Sequence, residues 1–345
     1  MRICLISGPH RPGKCGISDY VDLLADELNK RNHSTQKRSI ESPNDFSLFS
    51  KNLPDADFYS LQFAPYSFSP YGFSGRPIFE FARSLYKKKV MVNFHEIWIG
   101  AYPRAKWKEA LVGWRQKREI LKFLKIVKPR AIHSTNAAAI DRLKKEGVDV
   151  EYMYLFGNIP YSTKEGVPSN SRNLKVAFFG TLYESFPYEL LGHTLSQIAE
   201  LLATKIELRI IGRQRNGNSL SKLIKMGEDK TFLVSETKEL SPDEISQELQ
   251  ASSIGVSTTP YDIIGKSGAT AAMFEHRLPI LVFDDGDTAT EKTFVHQPFE
   301  NQVFLLNDRI TPHSIINYIH KTKNSNYSGV NEVVDKVMNI YHQKK

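Results

Sequence analysis

The sequence predicts an α/β protein built from two similar halves, each a parallel sheet flanked by helices. Three observations carry that expectation. Short β-rich runs alternate with longer helical patterns almost throughout, the signature of βαβ units. A polar stretch without apolar period divides the alternation near its middle. The chain has 345 residues, beyond the roughly 250–300 at which one core stops growing, so two domains are expected.

In the first half the candidate strands are RICLIS (2–7), STQKRSI (34–40), DFYSLQF (57–63), KVMVNF (89–94), RAIHS (130–134) and VEYMYL (150–155). Helical stretches near 17–31, 76–87, 104–127 and 136–146 fit between them. YSTKEGVPSNSRN (161–173), with Gly, Pro and three serines, reads as an interdomain linker. The alternation then restarts with strands LKVAFFG (174–180), KIELRIIG (205–212), TFLVSE (231–236), SIGVST (253–258), LPILVF (278–283) and QVFLL (302–306). Helices are expected near 187–203, 216–227, 241–251, 267–276 and 311–321. Val330, Val333, Val334, Val337, Ile340 and Tyr341 follow a helical spacing and make the last segment an amphipathic helix. The expected domains are therefore 1–160 joined by the final helix 328–343, a linker 161–173, and 174–325.

Composition narrows the class. With 41% hydrophobic and 24% charged residues the chain matches a folded soluble protein. No run of about 18 apolar residues is present. The opening MRICLISGPH has no small-residue cleavage site and reads as a first strand, so a cytoplasmic location is expected. Cys4 and Cys15 form neither a disulfide framework nor a metal cluster. A formal charge of +8 favours anionic partners. No nucleic-acid-binding module is recognisable, so nucleic acid is not an expected partner.

Several stretches carry chemistry. VNFHEIWIG puts His95 and Glu96 at the end of an apolar strand, where parallel sheets bind ligands. An imidazole there can donate a hydrogen bond or carry partial positive charge; a satisfied histidine closing a strand end is the plain alternative. Gly16 opens a helix after the first strand, a place where backbone N–H groups favour a phosphate. It reads equally as a turn glycine with Ser18 or Asp19 capping the helix. FAPYSFSPYGFSG (63–75) is too irregular for a helix or strand; its five aromatics either stack on a ligand or pack on their own domain. Gly265, Lys266, Ser267 and Gly268 precede an Ala-rich helix and suit a diphosphate, Lys266 as a point charge and Ser267 as a hydroxyl donor, although Pro260 stands where a Walker loop needs glycine. A capped helix with an exposed lysine is the plain reading. Arg213, after a strand end, is a second candidate cation. FDDGD (283–287) reads as a solvated acidic turn, and no essential metal is expected. The helix over 105–128 carries Lys106, Lys108, Arg115, Lys117, Arg118, Lys122, Lys125 and Lys128 with Trp107 and Trp114. It either rests on anionic lipid or turns its apolar residues into the core.

Taken in order, CGISDYVDLLADELNKRNH, LQFAPYSF, NFHEIWIG, HSTNAAAIDRLKKEG, LFGNIP, VAFFGTL, IELRIIG, LSPDEISQELQASSIGVSTTPYD and GKSGATAAMFEHRLPIL resemble the large retaining family of GT-B glycosyltransferases that use nucleotide-sugar donors (family 4-like, glycosyl transferases group 1). The likeness covers nearly the whole chain. It implies two Rossmann-like domains with a cleft between them, the second holding the nucleotide, and a last helix that crosses back to the first. Gly16 and Ile17 would face the donor diphosphate and His95 the donor sugar, with Glu96 orienting a loop or an acceptor hydroxyl. Two departures mark a divergent branch. GTLYESFPYELL has Thr181 and no lysine where the family carries Arg and Lys on the diphosphate, and Ile264 and Ala272 occupy the places of the paired glutamates. Asp262 or Glu275 would substitute as the ribose ligand.

The function implied is transfer of a hexose from a UDP or GDP sugar to a hydroxyl of a glycan, lipid-linked or small-molecule acceptor, with retention, in cell-surface or exported glycan synthesis. No cofactor is implied, and peripheral contact with the inner membrane face would suit a lipid-linked acceptor. A catalytically silent GT-B subunit partnering an active transferase is the alternative, and an enzyme that epimerises or phosphorolyses sugars is a further rival.

Overall fold

A computed structural model describes residues 1–13, 15–100, 105–164, 173–212, 217–284, 296–307, 310–319 and 327–343. The described chain forms two compact units, one from Met1–Leu155 with Gly329–Lys345, the other from Phe156–Gly286 with Thr293–Ser328.

The first unit opens with β1 (Arg2–Ser7), α1 (Gly16–Lys30), β2 (Ser34–Ser39), α2 (Pro43–Lys51), β3 (Phe58–Phe63), α3 (Pro65–Phe68) and α4 (Arg76–Leu85). It continues with β4 (Val90–Phe94), α5 (Trp107–Val127), β5 (Ala131–Ser134), α6 (Ala137–Lys145) and β6 (Glu151–Tyr152). Its six strands pair in parallel in the order β2-β1-β3-β4-β5-β6. β3 and β4 are buried along their whole length, which is why they read as continuous apolar runs. β2 is an edge strand, and its polar STQKRS is largely exposed.

The second unit holds β7 (Leu174–Phe179), α7 (Tyr188–Leu202), β8 (Ile206–Ile211), α8 (Gly217–Met226), β9 (Phe232–Glu236), α9 (Pro242–Gln250) and β10 (Ile254–Val256). A 3-10 turn, Tyr261–Lys266, leads into α10 (Gly268–Glu275); β11 (Ile280–Val282), β12 (Val303–Leu305) and α11 (Pro312–Ile319) follow. These strands are also all parallel, in the order β12-β11-β10-β7-β8-β9. Each unit has its own apolar core, centred on Ile6, Leu61, Phe63, Phe94 and Phe123 in the first and Val176, Phe178, Leu208, Ile254 and Leu281 in the second.

The chain returns to the first unit as α12 (Gly329–His342), burying Val333, Val334, Val337 and Ile340. Arg31 holds its start through Asp335 and Asn331, and Arg130 Nη1 donates to the carbonyls of Tyr341 (2.8 Å) and Gln343 (2.7 Å) at its end. A guanidinium there satisfies terminal carbonyls and complements the helix dipole.

Three details depart from the expectation. The second unit starts at Phe156, ahead of the expected linker, and 161–164 is tied into it: Ser162 N donates to Ser246 Oγ (2.8 Å), Gln250 Nε2 donates to Ser162 O (2.9 Å), and Lys164 pairs with Asp243. Residues 165–172 lie outside the described residues. α2 falls where no element was expected, started by Ser42 and Pro43 with Asp45 accepting from Ser42 N (2.7 Å). The aromatic loop contains one helical turn, α3, whose Phe68 is buried against Phe46 and Phe63, while Tyr71 stays 72% exposed.

α5 comes so close to the loop after β4 that a Cβ on Gly113 would lie 1.8 Å from Ile99 O. Backbone cannot yield to that contact as a side chain can. Gly113→Ala is expected to lower stability by about 1–3 kcal/mol, read from the urea midpoint. Gly16→Ala, where a Cβ meets nothing within 4 Å, is expected to stay within about 0.5 kcal/mol. Equal midpoints for the two variants would contradict this packing.

Candidate functional site

In each sheet the strand order reverses once, between β1 and β3 in the first and between β7 and β10 in the second. Ligands of open parallel sheets bind at the carboxyl ends of the strands flanking such a reversal.

At the first reversal, β3 places Ser60 and Gln62 on one face and the chain at β4 places Asn93 and His95 on one face, because side chains alternate along strands. Gln62 and Asn93 are register partners. All four are buried, His95 with 6% exposure. Gln62 Nε2 donates to Ser60 Oγ (2.8 Å), so its Oε1 accepts from Asn93 Nδ2 (3.1 Å) and from His95 Nε2 (2.8 Å). A carbonyl oxygen only accepts, which assigns the proton to Nε2 and leaves Nδ1 of a neutral ring as an acceptor. Burial pushes the His95 pKa down to about 4. The expected partial positive charge on His95 is therefore corrected: at neutral pH it is an uncharged imidazole whose Nε2–H serves Gln62. The ring lies edge-on to Tyr20 of α1, centroids 5.1 Å apart. Glu96 is half-buried, with its N–H directed at Phe63 O (3.4 Å).

The loop after β1 comes under α3, where a Cβ on Gly8 would fall 2.4 Å from Ser67 Cβ. Ser18 and Asp19 do not cap α1. Ser18 Oγ accepts from Arg11 N (2.9 Å) and Asp19 from Gly13 N (2.7 Å), so both fold the preceding loop. Burial holds the Asp19 carboxyl above its ordinary range. Cys15 at the cap position makes no side-chain hydrogen bond to the helix, Gly16 is exposed and Ile17 half-buried.

At the second reversal, Gly180 at the end of β7 has φ +99, and a Cβ there would lie 2.8 Å from Ala269 Cβ in the first turn of α10. Thr258, just past β10, donates to Thr181 O (2.6 Å) and accepts from Tyr183 N (3.0 Å), fixing the GTLY loop beside it. Ser267 is the N-cap of α10: its Oγ accepts from Thr270 N (3.1 Å) and from Thr270 Oγ1 (2.8 Å). With its one proton spent there, Thr270 accepts from Ser257 Oγ (2.8 Å). The chain of hydroxyls thus runs from Ser257 through Thr270 to Ser267, and its outermost proton is that of Ser267. Asn158 Oδ1, buried without a hydrogen-bond partner among the described residues, faces the same turn, 3.8 Å from where a Gly268 Cβ would stand. Gly265 and Asp262 are half-buried in the 3-10 turn and Lys266 is exposed beside them.

Glu275 is corrected. It ends the eight-residue α10, about 12 Å along the axis from Ser267. There it is buried and accepts from Gly157 N (2.7 Å). Its neighbour His276 donates from Nδ1 to Ala272 O (2.7 Å) and so accepts from Ser246 Oγ (2.7 Å). Both hold the 156–164 segment against the unit and are remote from the first turn of α10. Arg213 and the last three residues of FDDGD lie outside the described residues. Among the described residues no three His, Cys, Asp or Glu side chains gather as metal ligands.

No family model matches the sequence, and no curated protein is significantly similar to it. Solved structures are similar over almost the whole chain. An alpha-glucosyltransferase in complex with UDP and a 13-mer DNA containing a HMU base is 12% identical with TM-score 0.53, covering 99% of this chain and 95% of that one. Anabaena Alr3699/HepE in complex with UDP and glucose is also 12% identical with TM-score 0.53, covering 99% and 97%. The chain has the GT-B fold. The same fold appears in a Listeria monocytogenes protein described as a UDP-N-acetylglucosamine 2-epimerase, 11% identical with TM-score 0.53 over 97% and 90% of the chains. The fold is thus shared by proteins described with different activities.

Gln62, Asn93, Ser257, Thr258, Thr270 and Asn158 were not singled out from sequence. The first two were legible as polar residues spaced two apart from Ser60 and His95 in apolar strands. The hydroxyl chain joins residues far apart in sequence and has no local pattern.

Two measurements test these assignments. A neutral buried His95 takes its proton later than the unfolded chain, whose histidines titrate near 6.5. Stability routed through it is complete above that pH and declines as pH falls toward 4, by about 2 kcal/mol at pH 5 relative to pH 7. His95→Asn should shrink that decline in urea titrations at the two pH values; an unchanged pH dependence would refute it. Glu275→Ala should cost about 1–3 kcal/mol by stranding the Gly157 N–H, read from the urea midpoint.

Proposed function

We propose that this protein is a glycosyltransferase that moves a hexose from a nucleotide diphosphate sugar to an acceptor hydroxyl with retention of configuration. The observation that carries this reading is the hydroxyl chain ending on Ser267 at the start of α10, at the strand reversal of the second unit. An oxygen-rich anion is what an outward O–H and the N–H groups of a helix start bind together. Lys266 next to it supplies charge, Asn158 Oδ1 an acceptor for a ribose hydroxyl, and the neighbours that share the fold hold UDP. The donor is then a UDP or GDP sugar.

In this reaction the bond from the anomeric carbon to the diphosphate oxygen breaks as the acceptor oxygen bonds to the same face. The acceptor proton passes to the departing diphosphate. The demand on the protein is stabilisation of that leaving group and positioning of the acceptor. His95, neutral and with Nε2–H engaged, serves as an acceptor for a sugar hydroxyl through Nδ1. The acceptor is a glycan, a lipid-linked sugar or a small molecule, in cell-surface or exported glycan synthesis.

A silent subunit is the second reading, favoured by one observation: Glu275, the remaining candidate carboxylate on α10, is consumed in holding Gly157. Calorimetric titration with UDP, GDP and ADP, followed by a donor-hydrolysis panel, separates the two. Ser267→Gly keeps the helix start nearly as stable and should raise the Kd for the preferred nucleotide about tenfold. Slow nucleotide release from one sugar donor, abolished in His95→Ala, is the outcome expected of an enzyme. Nucleotide binding with no release from any donor would establish the silent subunit, and no binding at all would sink both.

A further inference from the structure

α5 buries apolar residues along its C-terminal half but exposes three large apolar side chains near its start. Its buried face consists of Gly113, Gln116, Ile120, Phe123, Leu124 and Val127. Trp107, Leu111 and Trp114, three residues on one line of the helix at i, i+4 and i+7, are 72%, 59% and 52% exposed. Two of the three tryptophans of the chain thus face outward on one helix. The same line continues toward the C-terminus as Arg118 and Lys125, with Lys108, Arg115 and Lys122 alongside, all exposed. The two acids of the helix are not on this face: Glu109 caps it by accepting from Lys106 N (3.0 Å), and Glu119 accepts from Ser74 N (2.7 Å) and Gly75 N (2.6 Å).

A second segment widens the surface. Gln116 Nε2 donates to Tyr71 O (3.5 Å), and the Arg115 guanidinium lies 4.1 Å from the Phe73 ring centroid. Together with Glu119 these contacts clamp the 71–75 loop to α5. Tyr71, 72% exposed, therefore extends the aromatic patch.

We propose that this face of α5 with Tyr71 is a docking surface for an anionic lipid bilayer, the helix lying in the interface plane. Indole and phenol rings settle at the headgroup level, Leu111 reaches below it, and the cations pair with lipid phosphates. A single-stranded nucleic acid suits the surface less well. Arg118 already covers a face of Trp114 at 4.7 Å and Lys108 a face of Trp107 at 5.6 Å, and bases need free ring faces for stacking. The proposal concerns the first unit alone and stands apart from the transferase reading.

Co-sedimentation of the full chain with vesicles tests it. The protein should pellet with phosphatidylcholine mixed with phosphatidylglycerol, much less with phosphatidylcholine alone, and be released by salt. Replacing Trp107, Leu111 and Trp114 together by Ser should reduce binding on the order of tenfold, as should Arg118→Gln with Lys122→Gln and Lys125→Gln. Leu48→Ser, at an equally exposed leucine on α2 (60%), is the control and should bind as wild type. Since every substituted side chain is exposed, unchanged urea midpoints are expected. Absence of binding to anionic vesicles, or equal binding by the patch variants and wild type, overturns the proposal. So does a concentration-dependent dimer abolished by the triple-Ser variant, or displacement of vesicles by a single-stranded oligonucleotide.

Discussion

Gln62 sits near the carboxyl end of a strand buried on both faces, where an amide must find partners or destabilise the sheet. Its solution organises the end of the first sheet. With Nε2 committed to Ser60, the carbonyl end takes both Asn93 and His95, and that choice fixes the imidazole tautomer and its orientation. One amide therefore couples two neighbouring strands and a prospective ligand group. Burial lowers the basicity of the imidazole as a by-product of the same packing. What the site offers chemically is set by a hydrogen-bond inventory rather than by charge.

The second unit solves a similar problem with hydroxyls. Ser257, Thr270 and Ser267 pass one polarity outward from the sheet to the start of α10, so that the buried oxygens are satisfied and the outermost group keeps a proton to give. The far end of the same short helix is spent on architecture: Glu275 and His276 hold 156–164 in place. A helix of this length can divide its two ends between ligand chemistry and chain positioning, and here its composition hides which end does which.

Much of the fold was legible because buried parallel strands leave largely apolar runs, and the twelve strands among the described residues fell within the expected stretches, the polar edge strand β2 included. α2 was missed although Ser42, Pro43 and Asp45 form a helix-start signature, since its apolar residues are few. The candidate site was legible only as positions. His95 and Ser267 occur at strand and helix ends, as read, but their states depend on Gln62 and Thr270, which are distant in sequence or unremarkable alone. Glu275 misled because a carboxylate beside a candidate loop looks functional until its backbone partner, Gly157, is seen. For Trp107 and Trp114 the sequence left two orientations open; the structure decides because Gly113 is pressed against Ile99 O and Gln116 accepts from Ile99 N, which turns the start of the helix with its indoles outward.

The return of α12 to the first unit has a consequence for synthesis. Val333, Val334, Val337 and Ile340 complete a unit whose other strands end by Tyr152, so its covering helix leaves the ribosome only after the whole second unit. His342 follows Leu155 by 187 residues, about 10–40 s of translation. Throughout that interval the surface of α1 that α12 covers lacks its partner helix, so the first unit cannot be completed before the second has been synthesised.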